Sequence, residues 1–364
     1  MVYLGMRKWK LFFVTVLVLG TIAFGLFSGK DVTPNEEVRI GYFLGGRTNL
    51  IYRAYINGYF DKEGVDVRLY TKYLRDPEVF EISKDVRTAD VVDGKSFGKM
   101  SGIEIVEGIM RGDFDAGTIG ESSFVSSISK GLPLVAVAQL GYEEAPGKAI
   151  VMRTDVVITS LEDFKGKTLI SRRAGPGDSI FLREFIRDIG LDAEDIDIID
   201  QVDEIDATNW IKSGEIDGGL YHLRTARRLV KGGYAYIYRP MDWMNSWVSH
   251  SVLVFRKEYA EDNPENVQKV VNAYMKRVRY EKDLLDSEKD SSWGRAGGMV
   301  GEFMGMQIPA YDTFPRVSIG ILNEIKRLLF AYGKIENDVD IKNYIDNRFV
   351  ERIYRELKKE SPSK

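Results

Sequence analysis

Val38-Arg39-Ile40-Gly41-Tyr42-Phe43 leads into Gly45-Gly46-Arg47-Thr48-Asn49, and Val65-Asp66-Val67-Arg68-Leu69-Tyr70 follows after a short amphipathic stretch. The first and last of these runs have strand character, with alternation clearest over 65–70. The middle run is a glycine loop in which Asn49 is placed to cap a helix. Leu50, Ile51, Ala54 and Tyr55 then fall on one side of that helix, and Gly58 and Gly64 punctuate its exit. Strand, helix and strand within about thirty residues make a βαβ unit, so the chain is read as α/β.

Working outward, residues 74–101 are polar and without a steady period, and they read as a long surface excursion, either lid-like or a decorated loop. The alternation resumes with a helix over 103–110, a strand over 115–119, a helix after Gly120-Glu121-Ser122-Ser123, and a buried strand over 134–140. A second α/β block begins near Gly141. It has strands over 149–152, 167–171, 196–199, 217–221 and 234–238, and a helix begins at Ser160. A further helix, capped by Asp178 or Ser179, follows the loop Arg172-Arg173-Ala174-Gly175-Pro176-Gly177. After a strand over 250–255 helices dominate, one of them starting at Asn263-Pro264 and another running over 321–329 to Gly333. No internal repeat is apparent.

The length of 364 residues suggests two domains plus extras. Lys+Arg number 51 against Asp+Glu 55, a formal charge of −4 that gives no reason to invoke nucleic acid. With no cysteine there are no disulfides, thiolate metal sites or cysteine nucleophiles, nor a lipid-modified N-terminal cysteine. His222 and His250 are the only histidines, which argues against a histidine-rich metal centre. No metal or cofactor is expected.

Arg7, Lys8 and Lys10 precede an apolar run from Leu11 to Phe27. At 1.5 Å per residue that run spans about 25 Å, the short end of a membrane crossing. Residues 1–30 are therefore read as an export signal or a retained anchor, and 31–37 as a linker. The remaining body is expected outside the cytoplasm.

Nucleophile elbows, P-loops and dinucleotide fingerprints are missing from the sequence, and no catalytic residue is assigned. What recurs instead is a polar loop at a strand's C-terminal end that opens a helix: Gly46-Arg47-Thr48, Gly120-Glu121-Ser122-Ser123, and Gly175 to Ser179. In open α/β sheets ligands settle at such places, where backbone N–H groups and helix dipoles favour anionic oxygens.

Several segments resemble one family in register. They are Tyr52 to Val67, Gly108 to Gly117, Gly131-Leu132-Pro133-Leu134-Val135, Leu161 to Lys167, Gly190-Leu191 with Asp195, Ser213 to Gly218, and Phe255 with Asn263-Pro264. Together they are similar to the nitrate/sulfonate/taurine/thiamine-precursor family of ABC-transporter solute-binding proteins, over residues 38–283. The resemblance implies a type II periplasmic-binding-protein fold, two α/β lobes joined by two crossover strands. Lobe 1 would comprise 38–141 plus 251–364 and lobe 2 142–250. It further implies a receptor that hands a small-molecule solute to an ABC permease and its ATPase.

The implied ligand-binding residues are Gly46, Arg47, Thr48, Glu121, Ser122 and Ser123 from lobe 1. From lobe 2 they are Arg172, Gly175, Asp178, Ser179, Tyr221 and His222, with Trp243 and Trp247 either walling the ligand or packing near the hinge. Arg47, Arg172 and Arg173 suit a sulfonate or carboxylate, which guanidinium pairs bidentately. Glu121 equally suits an amine such as an aminopyrimidine. A same-fold enzyme of the menaquinone-pathway type is the remaining alternative.

Overall fold

The computed structural model describes residues 37–43, 48–73, 78–84, 91–92, 95–96, 100–142, 147–172, 176–240, 250–289 and 314–360. The expected export or anchor run of residues 1–30 lies outside them. Among the described residues no helix is long and apolar enough to cross a membrane.

From β1 (Glu37–Gly41) the chain forms α1 (Asn49–Ile56), the single turn α2 (Tyr59–Lys62), β2 (Asp66–Lys72) and β3 (Val79–Glu81). A two-residue ribbon, β4 (Val91–Val92) and β5 (Lys95–Ser96), precedes α3 (Gly102–Arg111), β6 (Ala116–Gly120), α4 (Glu121–Ser129) and β7 (Leu134–Tyr142). The second block holds β8 (Lys148–Arg153), β9 (Thr168–Arg172), α5 (Pro176–Asp188) and β10 (Asp197–Val202). It continues with α6 (Glu204–Ser213), β11 (Gly218–His222), α7 (Leu223–Lys231) and β12 (Ala235–Pro240). Then come β13 (His250–Arg256), α8 (Lys257–Asp262), α9 (Pro264–Lys289), α10 (Ile319–Ala331) and α11 (Arg348–Glu360).

The strands make two main sheets, ordered β3-β2-β1-β6-β13-β7 and β10-β9-β11-β8-β12. The chain leaves the first after Tyr142, enters the second at Lys148, and is back in the first at His250. In each sheet the strand that opens a block (β8 or β13) is inserted antiparallel between two others. Apart from the edge strand β3 the two orders correspond term by term. This is a repeat of topology that the sequence reading did not detect.

One short device does recur in the residues. Gly112 (φ +82°) and Gly214 (φ +87°) end α3 and α6 in the left-handed conformation that glycine tolerates best. Three residues later Asp115 and Asp217 accept the backbone N–H groups of Arg39 and Thr168, each at 2.9 Å, pinning the neighbouring strand. The next strand then opens with a close approach. A Cβ on Gly117 would lie 2.3 Å from the Ile105 side chain, and one on Gly218 2.4 Å from the Val151 carbonyl oxygen.

Strand alternation sends Val252 and Val254 to one face of the first sheet and Leu253 and Phe255 to the other, as Ile150/Met152 and Ala149/Val151 do in the second. Outer faces are covered by α1, α9 and α11 on the first sheet and by α6 and α7 on the second. The remaining faces share one apolar cluster, to which α4, α5 and α10 all contribute.

Two helix starts differ from expectation. Thr48, not Asn49, is the residue before α1, and its hydroxyl donates to the Phe43 carbonyl rather than capping the helix. Asp178 and Ser179 lie inside the first turn of α5, which begins at Pro176, whose fixed φ suits the first helical position. Residues 79–81 of the polar excursion return to pair with β2, and Tyr73 stacks on Phe80 at 4.0 Å between ring centres.

Candidate functional site

The loop after β1 is held at both ends. Phe43 donates its N–H to Thr118 Oγ1 of β6 (2.8 Å), and the Phe43 carbonyl accepts from Thr48 Oγ1 (2.5 Å). Thr48 is fully buried, so its hydroxyl closes the base of this loop. Gly46 and Arg47, within the loop, lie outside the described residues.

The strand β6 runs straight into α4, and Glu121, Ser122 and Ser123 in its first turn are all buried. The two serines face different ways. Ser123 packs on Gly102 at the start of α3, its Oγ 2.6 Å from where a Cβ on that glycine would be. Ser122 faces the second sheet's helix, its Oγ 2.8 Å from a Cβ position on Gly177 in the first turn of α5. Two helix N-termini, one from each sheet, therefore touch at a glycine, where a larger side chain would press on Ser122.

Beside that contact is a buried charge cluster. Asp178 Oδ2 lies 2.5 Å from Arg172 Nη2, and Oδ1 lies 2.9 Å from Lys148 Nζ. The exposures of the three side chains are 2%, 3% and 9% in the order Asp178, Arg172, Lys148. Burial alone would raise the Asp178 pKa, but Arg172 and Lys148, with His222, hold the carboxyl well below the usual carboxylate range. Arg172 also lies 3.6 Å from Glu204, whose other oxygen accepts from Thr225 Oγ1 at 2.6 Å. The Lys148 ammonium stands 4.3 Å from the centre of the Phe181 ring, a cation–π contact. Antiparallel pairing of β8 with β11 sets Lys148 opposite His222, which is half-buried and precedes α7.

Arg172, Asp178 and His222 are thus brought together at one end of the second sheet, while Ser179 and Tyr221 are turned elsewhere. Ser179 Oγ accepts from Arg183 Nη1 at 2.6 Å within α5. Tyr221 is buried under α6, where its hydroxyl donates to the Ala207 carbonyl at 2.8 Å and burial pushes its pKa up. Gly175, Trp243 and Trp247 lie outside the described residues. Lys148 and Glu204 escaped the sequence reading. A lone lysine opening the otherwise apolar run Lys148-Ala149-Ile150-Val151-Met152 is the trace that could have found the first. Among the described residues no group of His, Asp or Glu is arranged to hold a metal ion.

The NMT1/THI5-like family model matches residues 101–281, which contain α4, the whole second sheet and the charge cluster. No curated protein matches the chain. Among solved structures, the periplasmic aliphatic sulphonate binding protein SsuA from Escherichia coli has a TM-score of 0.59 at 16% identity, covering 86% of this chain and 92% of that one. The alkanesulfonate-binding protein SsuA from Xanthomonas axonopodis pv. citri, bound to MOPS, has a TM-score of 0.60 at 14% identity, covering 86% and 99%. The desulfurization enzyme DSZB has a TM-score of 0.59 at 12% identity, covering 88% and 99%. The resemblance read from the sequence segments and the fold it implied are thus both found, and the chain carries an NMT1/THI5-like segment over residues 101–281 within an α/β periplasmic-binding-protein fold.

Proposed function

We propose that the chain is an extracytoplasmic solute-binding protein of an ABC importer. It would hold a small organic anion, sulfonate-like in chemistry, between two closing lobes, 38–141 plus 251–364 and 142–250. The observation that carries this reading is the contact between the first turns of α4 and α5 at Ser122 and Gly177, beside the buried cluster of Lys148, Asp178 and Arg172. Asp178 and Glu204 together balance Lys148 and Arg172, so the cluster is a set of paired charges with no formal excess. It adjoins a helix N-terminus, whose dipole favours an anion. Solute touching both lobes would stabilise the closed arrangement by its differential affinity for it. A micromolar site needs about 8 kcal/mol. In this reading Ser122 and the loops containing Arg47 and Gly175 meet the solute, residues 1–30 export or anchor the chain, and a permease with its ATPase receives the cargo.

A second reading, an amine-bearing solute such as an aminopyrimidine, is favoured by Glu121, 2% exposed in the first turn of α4. A thermal-shift screen of alkanesulfonates, aromatic carboxylates and aminopyrimidines separates the two. Solute at a hundred times its Kd adds about 2.7 kcal/mol of stability, a readable rise in Tm. The anion reading expects the alkanesulfonates to give that rise, and a response to aminopyrimidines alone would replace it with the second. Mass spectrometry of the solute after incubation should recover it unaltered. Conversion to product would overturn both readings in favour of an enzyme.

A further inference from the structure

The segment from Phe314 to Asn347 is rooted at both ends on the first sheet. The Gln139 N–H of β7 donates to the Pro315 carbonyl at 2.8 Å, and the Asp346 N–H donates to the Ala136 carbonyl of β7 at 2.9 Å. Asn347 ties the two ends together, accepting from the Val317 N–H (2.8 Å) and donating to the Val317 carbonyl (3.1 Å). Between these roots α10 lays Leu322, Ile325, Leu328 and Leu329 into the shared apolar cluster and packs on α4. Asn337 Nδ2 donates to the Ser129 carbonyl at the end of α4 (3.0 Å).

Just past α10 the same segment grips the second sheet. The Tyr332 hydroxyl donates to Glu184 Oε1 of α5 at 2.5 Å, and Lys334 Nζ lies 3.2 Å from Asp200 Oδ2 of β10. Asp200 is presented for this by a local irregularity. The pairing of β10 with β9 shifts register between Ile199 and Val202, and Gln201 within the shift sits at φ +62°, costly for a residue with a side chain. Ser171 Oγ (2.7 Å) and Arg183 (2.8 Å) then hold the Asp200 carboxylate in place. A strained backbone that aims one carboxylate at a lysine from another part of the chain is a built contact, unlike a loose surface ion pair.

We propose that residues 319–334 form a strap that holds the two halves together, so that opening to admit solute must first break the Tyr332–Glu184 and Lys334–Asp200 contacts. The inference rests on the reading that solute enters between the halves, and it adds what limits their separation. The apolar part of α10 stays with the first half on opening, because its roots are there. The two polar contacts, with the packing of α10 on α5, are the part that must let go.

The test is a distance measurement without solute, so its outcome does not depend on which solute, if any, the protein binds. The chain has no cysteine, so Glu107→Cys on α3 and Arg227→Cys on α7, both exposed, place one spin label on each half. Pulsed electron resonance on the labelled full chain should give one narrow distance distribution. Adding Tyr332→Phe and Lys334→Met should raise a second, longer-distance population at least fivefold, and Lys334→Arg in place of Lys334→Met should suppress it again. Should the double variant fail to fold, Tyr332→Phe alone, which removes one oxygen, should still shift the distribution in the same direction. An unchanged distribution in the folded variants, or one already broad before substitution, overturns the strap.

Discussion

Replacing Asp178 with asparagine keeps the side chain's shape and removes one charge from a place where three meet. Its carboxylate lies 2.5 Å from Arg172 and 2.9 Å from Lys148, in surroundings that almost exclude water. At an effective dielectric constant of about 20, each contact is worth about 6 kcal/mol of Coulomb attraction, and desolvation of the three ions offsets most of that. Removal of Asp178's charge leaves Lys148 buried without a carboxylate and Arg172 with only the more distant Glu204, at a cost of about 3–5 kcal/mol. Urea unfolding of Asp178→Asn should therefore show that loss at an unchanged m value. Adding Lys148→Met, which removes one of the stranded cations, should recover part of it. A loss below about 1 kcal/mol at equal m would refute the argument that these charges are committed to one another.

The same variant tests the sign of the pH dependence. Burial pushes the Asp178 pKa upward, and Arg172 and Lys148, with His222, outweigh it, so the folded value is depressed. A depressed carboxylate contributes stability that is fully present above its unfolded pKa of about 3.9 and is lost as pH falls through the lower folded value. The parent protein should lose stability below about pH 4 more steeply than Asp178→Asn, which has no such group to protonate. Parallel acid limbs in the two proteins would contradict the assignment.

Other perturbations separate structural from site roles. Asp163 accepts from the N–H and hydroxyl groups of both Thr159 and Ser160, which bring its pKa down to about 2, so Asp163→Asn should destabilise at neutral pH and match the parent once the pH drops through that value, as read by chemical denaturation. Thr118→Val should cost about 1–3 kcal/mol in the same assay, since it leaves the Phe43 N–H without its acceptor. At Gly177, alanine should be tolerated because Ser122 can turn its hydroxyl away, whereas valine should lower solute affinity tenfold or more by calorimetry; equal affinities would dismiss the helix contact as part of the site.

The alternation of strands and helices was legible because strand residues sort to two faces and glycines mark the exits. The segments at 108–117, 161–167 and 213–218 were legible as a family resemblance, and the structure gives their physical content. Asp115 and Asp217 pin neighbouring strands, and Asp163 closes a capping box with Ser160. The topological repeat stayed hidden because equivalent strands need only equivalent patterns, and most of their residues differ. The charge cluster stayed hidden for another reason. Lys148, Arg172, Asp178 and Glu204 are scattered along the chain and meet only through the register of β8, β9 and β11. A sequence shows that an arginine follows a strand, but not that an aspartate six residues on has already claimed it.

That claim bears on how a solute could be held. If removing one member of the cluster costs about 3–5 kcal/mol, a solute that drew Arg172 away from Asp178 would forfeit roughly half of the 8 kcal/mol that micromolar binding requires. A solute should therefore be met beside the cluster, using the N–H groups of the adjoining helix starts, rather than by dismantling it. The two halves then contribute unlike things. In the proposed reading the second would supply fixed charges tied to one another, and the first the buried Ser122 hydroxyl at a helix start. Substitutions in the cluster should consequently show up mainly as lost stability. Ser122→Ala, which touches no charge, should lower calorimetric affinity while leaving the unfolding midpoint nearly unmoved, and the opposite pattern would mean that solute binds by breaking the cluster open.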